Sequence, residues 1–146
     1  MKLFHVSEEK GISIFRPRVP ERIDLDKRRP LVWAISEEML PNFLTPRNCP
    51  RVCFQVDQHT SSLDKKTYLR VHNYVIVIEK VWLQRLKETT LYLYEFNSAN
   101  FVLQDKNAGY YVSELPQIPI RKIVVENLHK ALAERGVELR VVDRLW

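Results

Sequence analysis

Residues 2–7, Lys2-Leu3-Phe4-His5-Val6-Ser7, decide how the rest of the chain is read. The apolar residues Leu3, Phe4 and Val6 predict a buried strand over Lys2 to Val6, and the charged turn Glu8-Glu9-Lys10-Gly11 follows directly. A histidine inside such a strand needs a hydrogen-bond partner, because buried polar groups are almost always paired. Its protonation and tautomer also respond most easily near neutral pH. The partner is either a backbone carbonyl or a ligand, and the two alternatives imply different functions.

Working outward, Ile12, Ile14 and Phe15 lead into Arg16-Pro17-Arg18-Val19-Pro20, whose prolines forbid a regular helix or central strand. The stretch to Arg29 therefore reads as a long, basic, structured loop, and long loops in compact domains often carry function. Leu31 to Ile35 is a continuous apolar run, hence a second buried strand. Ser36 is placed to cap a helix with Glu37 and Glu38 in its first turn. Met39, Leu40, Phe43 and Leu44 form its apolar face; Pro41 falls near its first turn and Pro46 stops it.

Further strands are expected at 51–56, 73–79, 91–96, 101–103, 110–113, 120–125 and 137–142, with a turn at Asp105-Lys106-Asn107-Ala108-Gly109. Polar residues 57–66 predict a turn or one short helix. Trp82, Leu83 and Leu86 share one face of a short helix. A last helix opens at Asn127, turns Leu128, Ala131 and Leu132 inward, leaves His129 exposed and ends at Gly136. Strands outnumber helices and hairpin-like spacing dominates. The expected fold is α+β, one domain over residues 1–146, with a mostly antiparallel, curved or split sheet and short helices.

At 146 residues the chain has the size of one ordinary domain with a substantial core. No run approaches the roughly 20 apolar residues of a membrane-spanning helix, and the N-terminus lacks a signal-peptide core. An intracellular, cytoplasmic protein with no membrane partner is expected. Cys49 and Cys53 flank Pro50-Arg51-Val52 on an extended segment, too far apart for easy bridging. Neither has the neighbours of a zinc site, so Cys53 reads as a small core residue, Cys49 as a loop residue, and no metal is expected. The net charge of +5 is dispersed, its densest run being Lys27-Arg28-Arg29. That excess suits a polyanionic ligand, such as a dinucleotide or an RNA end, without the clustered stripe of a nucleic-acid binder.

Three glycines rule out a Gly-x-Gly-x-x-Gly fingerprint and a P-loop, and neither His-Glu-x-x-His nor Gly-x-Ser-x-Gly occurs. Of the four histidines, His59 lies in a polar loop, His72 begins a strand and His129 is on a helix. His5 alone sits in a context that suggests a site.

Three stretches resemble the ADP-ribosyltransferase-like fold. Leu3-Phe4-His5-Val6-Ser7 is similar to the first strand of its His-Tyr-Glu subgroup. Val32-Trp33-Ala34-Ile35-Ser36, followed by Met39 to Leu44, resembles the next block. Tyr110-Tyr111-Val112-Ser113-Glu114 before Pro116 and Pro119 resembles the late strand. The chain is also similar to a family of short bacterial proteins sharing a His-x-Ser opening strand, a Leu-Val-Trp-Ala-Ile segment and a Cys-Pro-Arg-Val segment. That second likeness brings no activity with it.

The transferase-like resemblance implies NAD as a substrate and chemistry through an oxocarbenium-like species. His5 and Glu114 would be the catalytic pair, with Glu95 the second carboxylate. Ser7 or Ser36 would supply a hydroxyl, and Tyr92, Tyr94, Tyr110 or Tyr111 the stacking face. Arg16 and Arg18 would neutralise the diphosphate. Where the subgroup has a tyrosine in its second block, this chain has Trp33 and Ser36, and no Glu-x-Glu pair occurs. Two alternatives stand beside the enzyme: a non-catalytic ligand-binding or interaction module of the same fold, and an RNA-end or nucleic-acid binder using the basic loop 16–29.

Overall fold

Leu3–Ser7 forms strand β1, and the strands on either side of it arrive from distant parts of the chain. On one flank is β2 (Val32–Ser36), antiparallel, with Leu3 opposite Ser36 and Phe4 opposite Ile35. On the other is β5 (Leu91–Phe96), also antiparallel, in a register that runs from Leu3 against Phe96 to Ser7 against Tyr92. The computed structural model describes residues 1–19, 29–55, 61–64 and 74–146. The expectations at Val56, His59, His72 and the Lys27-Arg28 part of the basic loop lie outside the described residues.

The described chain divides into two compact units, Met1–Leu40 with Tyr92–Val124, and Pro41–Leu91 with Val125–Trp146. In the first unit β7 (Tyr110–Ser113) pairs with β2, and β6 (Val102–Asp105) pairs with β7, both antiparallel. With β8 (Arg121–Val125) beside β5, the six-stranded order is β6-β7-β2-β1-β5-β8. Side chains alternate across a strand, so Leu3, Val32, Ala34, Tyr94 and Phe96 fall on one face. There they form one apolar cluster with Phe15 and Phe101.

Between β6 and β7 the chain turns where the Asp-Lys-Asn-Ala-Gly signal predicts it. The Asp105 carboxylate accepts from the amides of Asn107 and Ala108 at 3.0 and 3.1 Å. Gly109 then takes φ +71°, and its carbonyl accepts from the Ser36 amide at 2.9 Å. A Cβ there would lie 2.4 Å from Met39 Cγ and 2.7 Å from Ser36 Oγ.

The second unit holds β3 (Arg51–Gln55), β4 (Tyr74–Glu79) and β9 (Val137–Val142), in the order β3-β4-β9. β3 and β4 are antiparallel, but β4 and β9 are parallel, a departure from a mostly antiparallel pattern. Parallel neighbours need a long crossover, and residues 80–136 supply it. Within this unit α1 is the short turn Ser62–Asp64, α2 runs Leu83–Glu88, and α3 runs Leu128–Glu134 against β9. Asn127 caps α3 by accepting from the Lys130 amide at 3.0 Å, and Gly136 ends it at φ +75°. Leu86, Leu128 and Leu132 are fully buried, as their spacing predicts.

Two local expectations are corrected. The segment after Ser36 is a 3₁₀ helix, Glu37–Phe43, with Pro41 inside it, and Ser36 ends a strand instead of capping an α-helix. Pro41 removes a main-chain donor from the middle of a seven-residue element, which leaves little for a regular α-helix to propagate on. The two cysteines exchange depth: Cys49, in the loop, is buried and Cys53, in β3, is half-buried. Both are free thiols, and burial pushes both up in pKa.

Gly109→Ala should lower the melting temperature by roughly 5 °C or more, because the added methyl meets both a positive φ and two close atoms. A calorimetric scan checks this, and an unchanged midpoint would contradict the packing described.

Candidate functional site

The register of the first unit's sheet places most of the candidate residues on one face. Ala34 pairs with Tyr111 and His5 with Tyr94, and the Leu3–Ser36 pairing sets Tyr111, Ala34, His5 and Tyr94 on one face. Ser113 opposite Val32 and Ser7 opposite Tyr92 continue that face. Ser36, opposite Leu3, lies four residues along β1 from the level of Ser7, about 13 Å away. Ser7 and Ser36 are therefore on the same face but cannot serve His5 as interchangeable neighbours.

The first part of the long loop is stapled onto this face along its length. The Tyr94 hydroxyl donates to the Glu9 carbonyl at 2.6 Å and accepts from the Ile12 amide at 3.1 Å. Phe15 exchanges two backbone hydrogen bonds with Gln117, at 2.8 and 2.9 Å, and Arg18 does the same with Leu31 at 3.2 and 3.0 Å. Gln117 is itself buried, its amide donating to Ser113 Oγ at 3.0 Å and to the Leu115 carbonyl at 3.3 Å. Phe15 sits 4.7 Å from the His5 ring and 5.2 Å from that of Tyr94, centroid to centroid.

His5 is half-buried here, and its pKa is lowered from 6.5 to about 4. Burial is the main cause and the positive charge of Arg18 adds to it, while a hydrogen bond with the Trp33 backbone pulls the other way. The Trp33 backbone therefore favours the protonated ring, but less strongly than burial and Arg18 oppose it. At neutral pH one ring nitrogen is a lone-pair acceptor. Both alternatives for the His5 partner, the nearby Trp33 backbone and a ligand, stay compatible with this neutral ring.

The remaining candidates are distributed unevenly. Tyr94 is 1% exposed with its hydroxyl used twice, so it presents no ring face to a ligand. Tyr92 is half-buried, and the Lys122 ammonium lies 5.7 Å from its ring while donating to the Lys10 carbonyl at 3.0 Å. Tyr111 is half-buried against the apolar cluster. Tyr110 points to the opposite face and meets Trp33 edge-on at 5.6 Å. Ser7 Oγ accepts from the Glu9 amide at 2.9 Å. Arg16 and Arg18 are exposed.

The two carboxylates do not join His5. Glu114 follows Ser113 out of β7 and is ion-paired with Arg29 in solvent. Ser113 stands two strand spacings from Ser7, roughly 10 Å. Glu95 is opposite Phe4, on the face away from His5, buried, with Arg121 3.8 Å from one oxygen. Among the described residues no three His, Cys, Asp or Glu side chains cluster as a metal site would need.

Residues 4–146 match the family of unknown function DUF6886. The chain belongs to that family. The match begins inside β1 and takes in every candidate residue named above. No curated protein and no solved structure matches the chain. Among the described residues no helix is long and apolar enough to cross a membrane.

Phe15, Gln117 and Lys122 shape this face and are not among the residues the sequence singles out. Phe15 carried a signal, the apolar Ile12-x-Ile14-Phe15 pattern at the head of a basic loop. Gln117 carried a weaker one, a lone polar residue between Pro116 and Pro119.

Tyr94→Phe should destabilise the fold by about 1–2 kcal/mol, because it removes two part-buried hydrogen bonds, to the Glu9 carbonyl and from the Ile12 amide. Faster hydrogen exchange at the Ile12 amide would report the same loss locally. His5 adds a pH dependence whose sign follows from its lowered pKa. Between 6.5 and about 4 the unfolded chain binds the His5 proton and the folded chain does not. Stability is therefore complete above that window and falls through it on acidification, by up to about 3 kcal/mol. Denaturant titrations at stepped pH should show this limb in the native protein and a flatter one in His5→Gln. An identical limb in the variant would assign it to other groups.

Proposed function

We propose that the protein is a ligand-binding module of ADP-ribosyltransferase-like fold that holds NAD or a related nucleotide on the His5 face. The observation that carries this is the state of His5, half-buried, neutral and under the influence of the Arg18 cation. A neutral imidazole has one lone-pair nitrogen, suited to accept a hydrogen bond from a ribose hydroxyl. Arg18, and Arg16 beyond it, are exposed guanidiniums suited to a diphosphate.

The fit to such a ligand is uneven. The ribose and phosphate side has His5, Ser7 and Arg18 available to it. The aromatic side has less, since Tyr94 is buried and Tyr92 already lies against Lys122. Tyr111 is the candidate ring that remains. The separation of Glu114 from His5, and its pairing with Arg29, favour binding over ADP-ribose transfer. Transfer would need a carboxylate close to the developing positive charge.

Calorimetric titration with NAD tests the proposal. Saturable binding should raise the melting temperature of the native protein, and Arg18→Ala and His5→Ala should each weaken it about tenfold while the far-ultraviolet spectrum is kept. No saturation at millimolar NAD would sink the nucleotide reading. Nicotinamide release that is abolished in both His5→Ala and Glu114→Gln would replace the binding module with the transferase.

A further inference from the structure

Strand β9 is the outer strand of the second unit's sheet among the described residues, with β4 on its inner side alone. Its sequence is Val137-Glu138-Leu139-Arg140-Val141-Val142. An edge strand presents a row of main-chain donors and acceptors, and proteins commonly blunt it with a proline, a bulge or charged side chains; the charges of β9, Glu138 and Arg140, are of opposite sign. β9 has no proline and no lysine, and its ladder to β4 runs without a register shift from Tyr74 against Val137 to Glu79 against Val142.

Its two charges are arranged symmetrically about Leu139. If a second β9 is laid antiparallel across a two-fold axis at Leu139, Glu138 of each strand falls directly opposite Arg140 of the other. Val137 then faces Val141, and Leu139 faces its own copy. Residues directly opposite in an antiparallel pair share a face, so both charge pairs form on the side that carries Val75 and Val77. Within one chain Glu138 and Arg140 are already ion-paired and half-buried, and the two-fold pairing sets each beside its opposite charge on the second copy as well.

We infer that β9 is the self-association surface of this protein, and that its occupant is β9 of a second copy in an antiparallel, two-fold pairing. Such a contact is closed and self-complementary, and it joins two three-stranded sheets into one. A shift of one residue in this register would turn the charges of one strand to the opposite face from those of its partner. The Glu138–Arg140 spacing therefore selects the pairing as well as supporting it. The inference is independent of the nucleotide reading, since it rests on the second unit alone.

Sedimentation equilibrium on the full chain tests it. The native protein should show a monomer–dimer equilibrium. Glu138→Arg and Arg140→Glu should each raise its dissociation constant by about tenfold or more, because both interchain pairs become like-charged. An equimolar mixture of the two variants should recover association as a heterodimer, an outcome that loss of the intrachain ion pair alone does not produce. Hydrogen exchange of the native protein over a concentration series decides the matter without any variant: new protection at high concentration should fall on β9 amides. A native monomer at all soluble concentrations would overturn the proposal. So would a dimer of unchanged affinity in both variants, a mixture that stays monomeric, or protection that appears elsewhere.

Discussion

The Tyr94 hydroxyl is the point on which the first unit depends. It is removed from water, and it answers that by bonding the Glu9 carbonyl and the Ile12 amide, residues more than eighty positions earlier in the chain. Those two bonds begin the stapling of residues 9–18 to the sheet. Phe15 is thereby delivered onto His5, Tyr94 and Phe96, and the chain is carried to Arg18, whose charge acts on His5. Without the hydroxyl, two part-buried main-chain groups would lose their partner and the segment would have reason to leave. The same ring in the middle of β5 is what makes the His5 face apolar on one side.

The electrostatics of His5 follow from that arrangement. A histidine on a solvated strand would titrate near its ordinary range and act as a proton carrier. Covered by Phe15 and approached by Arg18, His5 stays neutral at physiological pH, so its chemistry is that of a fixed donor and a fixed acceptor. Under the function proposed above, that suits binding more than acid–base chemistry, in keeping with the separation of His5 from the two carboxylates. Glu95 points to the other face of the same strand as Tyr94, which is the simple consequence of adjacent positions in a pleated chain.

Much of the fold was legible along the chain. The strands at 32–36, 51–55, 74–79, 91–96, 110–113 and 137–142 fall within a residue or two of the apolar runs that announce them. The Asn127 cap and the Gly136 stop follow their local chemistry. Less was legible where a local signal had two readings. Ser36 before two glutamates looks like a helix cap, yet its main chain is engaged by Gly109 from another hairpin. Cys49 sits in a loop and is nonetheless the more buried cysteine. The candidate site was half legible: His5, Ser7, Tyr92, Tyr94 and Tyr111 do share a face, whereas the residues that cover it, Phe15, Gln117 and Lys122, come from segments whose periodicity says little.

What the sequence by itself determined is the identity of the strands, their inward faces and the turns between them. Those depend on alternation, capping and glycine, all properties of neighbours in the chain. Only the tertiary structure decided which strands meet and in what register. That choice put Tyr94 opposite His5, sent Glu114 to Arg29, and made β4 and β9 a parallel pair. Strand pairing is a non-local selection among runs of similar apolar pattern, and a shift of one residue reverses every face. The opening histidine could therefore be singled out from its own strand, but its neutrality and its neighbours belong to the sheet.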